Sequence, residues 1–241
     1  LTPSKEYEGA TMTIGGKAVT SYSVSLANGK STTITVKVKL GKTTKTYKFA
    51  VTRAKSTNNS LATLTANAGM FDRAFDPAVT GYVLTLNENT KSVTISDTVA
   101  TSLAKASFKS RKVSLNNGQT KKITITVKAQ SGAKKTYTIT VIRLPSTNTG
   151  LKYLKTNSKS YPLTPTYSAG VTNYTITLPA NKSSATISAA ALGYKAAVYF
   201  DGSRRSSKKV ALASGQSVTI HVTVVAQAGN AQDFYITVMR P

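Results

Sequence analysis

The 241-residue chain has no cysteine, no tryptophan and a single histidine. Without cysteine there are no disulfides and no thiolate-held metal, so each domain must stand on its own apolar core. With His221 alone, a zinc site or a His-based triad lacks partners. Acid is scarce: eight Asp and Glu face 32 Lys and Arg, for a formal net charge of +24. No apolar run approaches the roughly 20 residues a spanning helix needs, so no membrane span is expected. Nothing at Leu1 resembles the basic and apolar regions of an export signal, which would have been removed or lie upstream. Glu and Gln are few while Thr, Ser, Val and Ile abound, a balance that favours strands over helices.

What the chain does have is repetition. GKSTTITVKVKLGKTTKTYKFAVTR (29–53), GQTKKITITVKAQSGAKKTYTITVIR (118–143) and GQSVTIHVTVVAQAGNAQDFYITVMR (215–240) align end to end. FDPAVTGYVLTLNENTKSVTIS (75–96) aligns with YSAGVTNYTITLPANKSSATIS (167–188), and RAKSTNNSL (53–61) with RLPSTNTGL (143–151). Ile123, Ile125 and Val127 alternate with threonines, as do Tyr137, Ile139 and Val141, so each back half reads as a hairpin with one buried face. Tyr47, Tyr82, Tyr174 and Phe234 fall on the same apolar phase and are expected in cores. About seven short strands per unit of roughly 90 residues predict an all-β fold of tandem Ig-like antiparallel sandwiches. The units run 54–145 and 146–241, preceded at 1–53 by the back half of another.

Three further motifs carry a resemblance. An early L-x-x-L (Leu61 and Leu64; Leu151 and Leu154) is followed by V-T-x-Y (Val79 to Tyr82; Val171 to Tyr174). A closing Y-x-I-x-V-x-R completes the pattern. Together they resemble the bacterial cadherin-like β-sandwich domain, although GMFDRAF and SYPLTPTY replace its usual Gly-Leu-x-Pro. The resemblance implies no catalytic residues and no enzyme. It implies a spacer or adhesive module in an extracellular, cell-surface protein. The half unit at 1–53 would leave strand edges unpaired. It is either a fragment or completed by strands from another copy, which would build a fibre or surface array.

The charge is spread evenly: +7, +9 and +8 over 1–53, 54–145 and 146–241. Such a surface suits an anionic cell-wall polymer or acidic polysaccharide. The candidate polyanion contacts are Arg204, Arg205, Lys208 and Lys209 in one run, with Arg111, Lys112, Lys121, Lys122, Lys134 and Lys135. Lys outnumbers Arg 25 to 7 and acts as a point charge, which argues against base readout. Nonspecific nucleic-acid binding is expected only at low salt.

Other motifs carry little. GKST and GKTT lack the upstream Gly of a phosphate loop and lead into strands. His221 lies on the threonine phase, where solvent is expected. Neither junction contains an acid for calcium, and the residues imply no metal and no cofactor. Asp72 and Asp76 are too apolar in context for a glycosidase pair, and Asp76 before Pro77 reads as turn chemistry. Sequons at Asn58, Asn173 and Asn181 are common by chance in so Ser- and Thr-rich a chain. A Lys–Asn isopeptide crosslink needs a buried acid nearby; it stays open, as no acid stands out on a strand phase.

Overall fold

The computed structural model describes residues 1–241 and builds them from strands and turns, with no α-helix. In the first unit, β1 (Thr11–Ile14), β2 (Ser31–Leu40) and β3 (Thr43–Thr52) form one antiparallel sheet in that order. The second unit contains β4 (Leu61–Ala66), β5 (Met70–Phe71), β6 (Gly81–Leu86), β7 (Ser92–Val99), β8 (Lys105–Ala106), β9 (Ser110–Ser114), β10 (Thr120–Lys128) and β11 (Lys134–Arg143). They make two facing sheets, β4-β7-β9 and β5-β6-β11-β10-β8. The third unit repeats this with β12 (Leu151–Thr156), β13 (Asn173–Thr177), β14 (Ser184–Ala191), β15 (Ala197–Phe200), β16 (Ser203–Arg204), β17 (Ser207–Ala211), β18 (Ser217–Val225) and β19 (Ala231–Met239). Its sheets are β12-β14-β17 and β13-β19-β18-β15-β16.

Period-two alternation sets which residues meet between the sheets. Ile123, Ile125, Val127, Tyr137, Ile139 and Val141 all point inward, joining Leu61, Leu64, Leu84 and Ile95 in one cluster. Ile220, Val222, Val224, Phe234, Ile236 and Val238 do the same beside Leu151, Leu154, Ile176 and Ile187. The two cores share no residue, so each sandwich encloses its own. Each fully buried Leu, Ile or Phe contributes about 1.5–3 kcal/mol relative to exposure.

The V-T-x-Y tyrosines turn a corner. The Tyr82 hydroxyl donates to the Asp76 carbonyl (2.7 Å) and accepts from the Asp76 amide (2.9 Å). That of Tyr174 donates to the carbonyls of Ser168 (3.2 Å) and Val171 (2.8 Å). A second hydroxyl changes hands between units. The Leu61 amide donates to Tyr137 Oη (3.2 Å), whereas the equivalent Leu151 amide donates to Tyr167 Oη (3.2 Å). Phe75 and Phe234 fill the reciprocal positions, so each unit keeps one hydroxyl for a backbone donor that would otherwise be orphaned.

The first unit has one sheet where each of the other two has a pair. In the complete sandwiches β11 and β19 each carry a parallel neighbour, β6 and β13. The equivalent edge of β3 is bare, and only Ile14, Ile34 and Val36 form a buried cluster. Tyr47, expected in a core, is 49% exposed and Phe49 is 41% exposed. Their strand phase agrees with the alternation, but no second sheet faces them. Residues 3–7 fold over this face and leave an apolar hollow of about 540 Å³ against Tyr47 and Phe49.

One acid departs from expectation. Asp97 stands on the buried phase of β7, 6% exposed, with neither carboxylate oxygen hydrogen-bonded. Burial pushes its pKa above the ordinary 3.8. The third unit has Ala189 at the same register, opposite Leu154 as Asp97 is opposite Leu64. A strand-phase acid is therefore present after all.

Candidate functional site

The two junctions are built alike. Between the first and second units, the tip of the β10–β11 hairpin reaches back to the preceding unit. Gln130 Oε1 accepts from the Ser56 amide (2.9 Å), its Nε2 donates to the Asn28 carbonyl (2.9 Å), and the Ser131 amide donates to the Ser56 carbonyl (2.9 Å). At the next junction Gln227 Oε1 accepts from the Ser146 amide (3.1 Å), its Nε2 donates to the Asn117 carbonyl (3.1 Å), and the Ala228 amide donates to the Ser146 carbonyl (2.9 Å). Gly118 is the reason the second amide can approach. Its φ is +69°, and an added Cβ would lie 2.5 Å from Gln227 Nε2. The recurring A-Q-x-G of the hairpin loops (129–132 and 226–229) is the sequence signal for this latch, which the hairpin pattern by itself does not reveal. The first unit has Leu40-Gly41-Lys42 there and no glutamine.

The closing arginines fasten each unit's end. Arg143 donates from Nη1 to the Leu115 carbonyl (2.7 Å) and from Nε to the Glu88 carbonyl (3.1 Å), with Nη2 on Glu88 as well. Arg240 donates to the carbonyls of Leu212 (3.0 Å) and Ala180 (3.2 Å). Arg53 donates to the Leu26 carbonyl (2.8 Å).

The second junction also holds an acid, contrary to the reading of its own residues. Glu88, from the β6–β7 loop, accepts from the Thr147 amide (2.5 Å) and from the Thr147 hydroxyl. Those Thr147 bonds, with a smaller contribution from Arg143, hold its pKa below 4.5. One carboxylate does not make a calcium site, and nowhere do three His, Cys, Asp or Glu side chains converge.

The ten candidate basic residues do not form one patch. Neighbours along a strand face opposite ways, which separates Arg111 from Lys112, Lys121 from Lys122, Lys134 from Lys135 and Lys208 from Lys209. Arg111 lies over the Phe108 ring (5.8 Å to its centroid) and Lys135 over Tyr137 (5.3 Å). Lys208 pairs with Asp201. Arg204 lies opposite Tyr199 on the short β16, with Arg205 just after it. Lys134 and Lys135 sit at the end of the second unit that meets the first, roughly 25 Å along the hairpin from Lys121 and Lys122. Only Lys112 and Lys121 come together. They line a basin of about 710 Å³ with Lys91, Arg143, Asn117 and, from the third unit, Tyr194.

The rejected motifs resolve into structure. Asp76 caps its own turn, accepting from the Ala78 amide (2.8 Å), while Asp72 pairs with Arg73 (2.9 Å) and accepts from the Val83 amide (2.9 Å). His221 is partly solvent-facing, stacks on Tyr235 (5.0 Å) and meets Asp233 Oδ1 (2.8 Å) and Thr223 Oγ1 (3.3 Å). An acid and a hydroxyl therefore do lie beside this histidine, as the sequence did not foresee. The set is still no nucleophile–base pair. The single nitrogen Nε2 faces both groups, and the Thr223 hydroxyl donates to Asp233 (2.7 Å).

Comparison with known proteins agrees with this architecture. The cadherin-like beta sandwich domain matches residues 59–144 and 151–241. No curated protein matches the chain by sequence. Among solved structures, PcdhgB3 EC1-4 is similar at 10% identity and a TM-score of 0.32, over 88% of this chain and 57% of that one. The human desmocollin-1 ectodomain matches at 12% and 0.29, over 88% of this chain and 47% of that one. Mouse cadherin-23 EC22-24 matches at 12% and 0.29, over 97% and 86%. The chain thus spans about half the length of the first two, and likenesses this distant say nothing of ligand or partner. With two tandem matches covering most of its length, and two sandwiches built on the same plan, the chain belongs to the cadherin-like beta sandwich domain family.

Proposed function

We propose that this chain is a non-catalytic structural and adhesive segment of an exported bacterial surface protein. On this reading, units 54–145 and 146–241 are held at set angles by metal-free latches. The observation that carries it is the same three-bond contact at both junctions, made by Gln130 with Ser131 and by Gln227 with Ala228. Repetition of identical donors and acceptors argues for a standing connector rather than a chance contact. The evenly basic exterior supports association with acidic wall polymer or polysaccharide by long-range attraction. Titrating such a polymer and a DNA duplex at two ionic strengths tests this part. Tighter binding of the polymer at the higher salt supports it, and equal affinities with equal salt slopes defeat it.

One observation favours a second reading. The bare edge of β3, with Tyr47 and Phe49 exposed above it, is the place where β11 and β19 carry a parallel strand. A neighbouring copy's strand there would give a fibre or surface array. Long ordered fibres under negative stain support this reading; discrete short rods support the first.

A further inference from the structure

The basin at the junction of the second and third units is unlike its surroundings. Lys91, Lys112 and Lys121 line it together with Arg143, the Lys121 ammonium donating to the Ser114 carbonyl (2.6 Å), and no carboxylate lines it. Ser92, Ser114, Asn116, Asn117 and Gln119 supply neutral polar groups between them. Tyr194, 40% exposed as a residue, closes one side from the third unit, with Lys195 Nζ 5.7 Å from the ring centroid. Glu88 is close in sequence to this end, but its carboxylate is engaged by Thr147.

The second and third units control for one another: the third forms the same fold with Lys209 and Arg240 in the places of Lys112 and Arg143 but without Lys91 and Lys121, and the second forms it without Tyr194. The Lys91 carbonyl accepts from Leu115 as the Ser183 carbonyl accepts from Leu212, so Ser183 stands where Lys91 does, with Lys182 one residue earlier. Lys121 pairs with Val141 as Val218 pairs with Val238, so a valine replaces Lys121. Tyr194 corresponds to Ser102 in the second unit, because Ala196 and Ala104 close the same turn onto Gly193 and Thr101. Folding therefore does not require Lys91, Lys121 or Tyr194. Three cations lining one basin with no carboxylate in its wall repel one another, an arrangement that an anionic ligand would relieve.

We propose, resting on the acidic-polymer reading above, that this basin is a discrete binding site for an acidic glycan. Lys91, Lys112 and Lys121 meet its carboxylate, sulfate or phosphate groups, and the Asn and Gln amides meet its hydroxyls. Tyr194 offers a flat apolar face to a sugar ring. Arg143 adds charge but no free fork, since all three of its nitrogens already donate to Leu115 and Glu88. A lone aromatic and no available guanidinium fit a glycan better than a nucleic acid, which is gripped by successive stacking rings and arginines.

The test measures binding of a heparin hexasaccharide, a neutral maltohexaose and a single-stranded 20-mer DNA to the full chain at low and physiological salt. Lys91→Ser with Lys121→Val, and separately Tyr194→Ser, install residues that the chain itself uses at equivalent positions. Lys128→Val with Lys134→Ala does the same at the opposite end of the second unit, removing equal charge. The site predicts that Lys91→Ser with Lys121→Val weakens the hexasaccharide about ten-fold and flattens its salt dependence. Tyr194→Ser should weaken it about five-fold with little change in that slope, while the distal pair changes affinity less than about two-fold. Equal losses from both charge-matched pairs would overturn the site while leaving diffuse attraction intact. Failure of the unaltered chain to bind the hexasaccharide at low salt would overturn the acidic-polymer reading itself. DNA bound as tightly as the hexasaccharide, and weakened by the same variants, would overturn the ligand class.

Discussion

At the scale of single residues, the decisive groups satisfy or fail to satisfy a buried backbone. Tyr137→Phe leaves the Leu61 amide without a partner in a fully buried setting. It should cost the second unit about 1–3 kcal/mol in urea unfolding. Adding Phe75→Tyr, which restores the third unit's arrangement, should recover most of that loss; additive losses would contradict the hydroxyl exchange. Asp97→Ala should do the opposite and stabilise the second unit by about 1–3 kcal/mol at neutral pH. The sign follows from its raised pKa. A buried acid costs nothing extra while protonated, below its ordinary 3.8, and the cost grows as pH rises through the folded value. The gain from the substitution should therefore shrink on acidification, and a gain independent of pH would show that charge burial is not its source. Legibility at this scale was uneven. Leu61, Leu64 and Tyr82 were evident from motif and phase, whereas Asp97 was not, since an acid interrupting an apolar alternation reads as an exposed position. Runs such as RRSSKK overstated local charge, because the strand pleat sends adjacent lysines to opposite faces.

Among elements, strand and hairpin identity were the most legible feature. Val, Ile and Thr at period two fix which face is buried, and that pattern runs from the fourth residue onward in β10, β11, β18 and β19. What sequence could not carry was the partner of each edge. The parallel pairing of β6 with β11 joins residues more than fifty apart, and no local pattern encodes it. The consequence is measurable on β3. Amides on its bare side should exchange with deuterium orders of magnitude faster than Thr138 and Tyr235, whose amides donate to Thr80 and Thr172 across the filled edge. Comparable protection would mean that something covers β3 in solution. The Glu88–Thr147 tie makes the two junctions differ. Because its folded pKa is depressed by the Thr147 bonds, Glu88 supports the second junction above about pH 4.5 and stops doing so as pH falls through the folded value. Scattering on separate two-unit pieces, followed as pH is lowered from 7 through and below 4.5, should show loosening for the piece containing Glu88 and Thr147 only. Equal loosening of both would remove Glu88 from the account.

For the whole molecule, the chain reads as two sandwiches with separate cores, preceded by a single three-stranded sheet and wrapped in lysine. A net charge of +24 works against compactness, so melting temperature should rise with added salt until screening is complete. The central claim concerns the junctions, and one measurement addresses it directly. The absence of native cysteine allows spin labels at Ser110→Cys and Ser207→Cys, exposed positions on β9 and β17, to report the distance between the second and third units. The account predicts a narrow distance distribution that is the same in chelator and in millimolar calcium, and that broadens when Gln227→Ala removes the latch. A broad distribution in the unaltered chain, or one that narrows only on adding calcium, would contradict it.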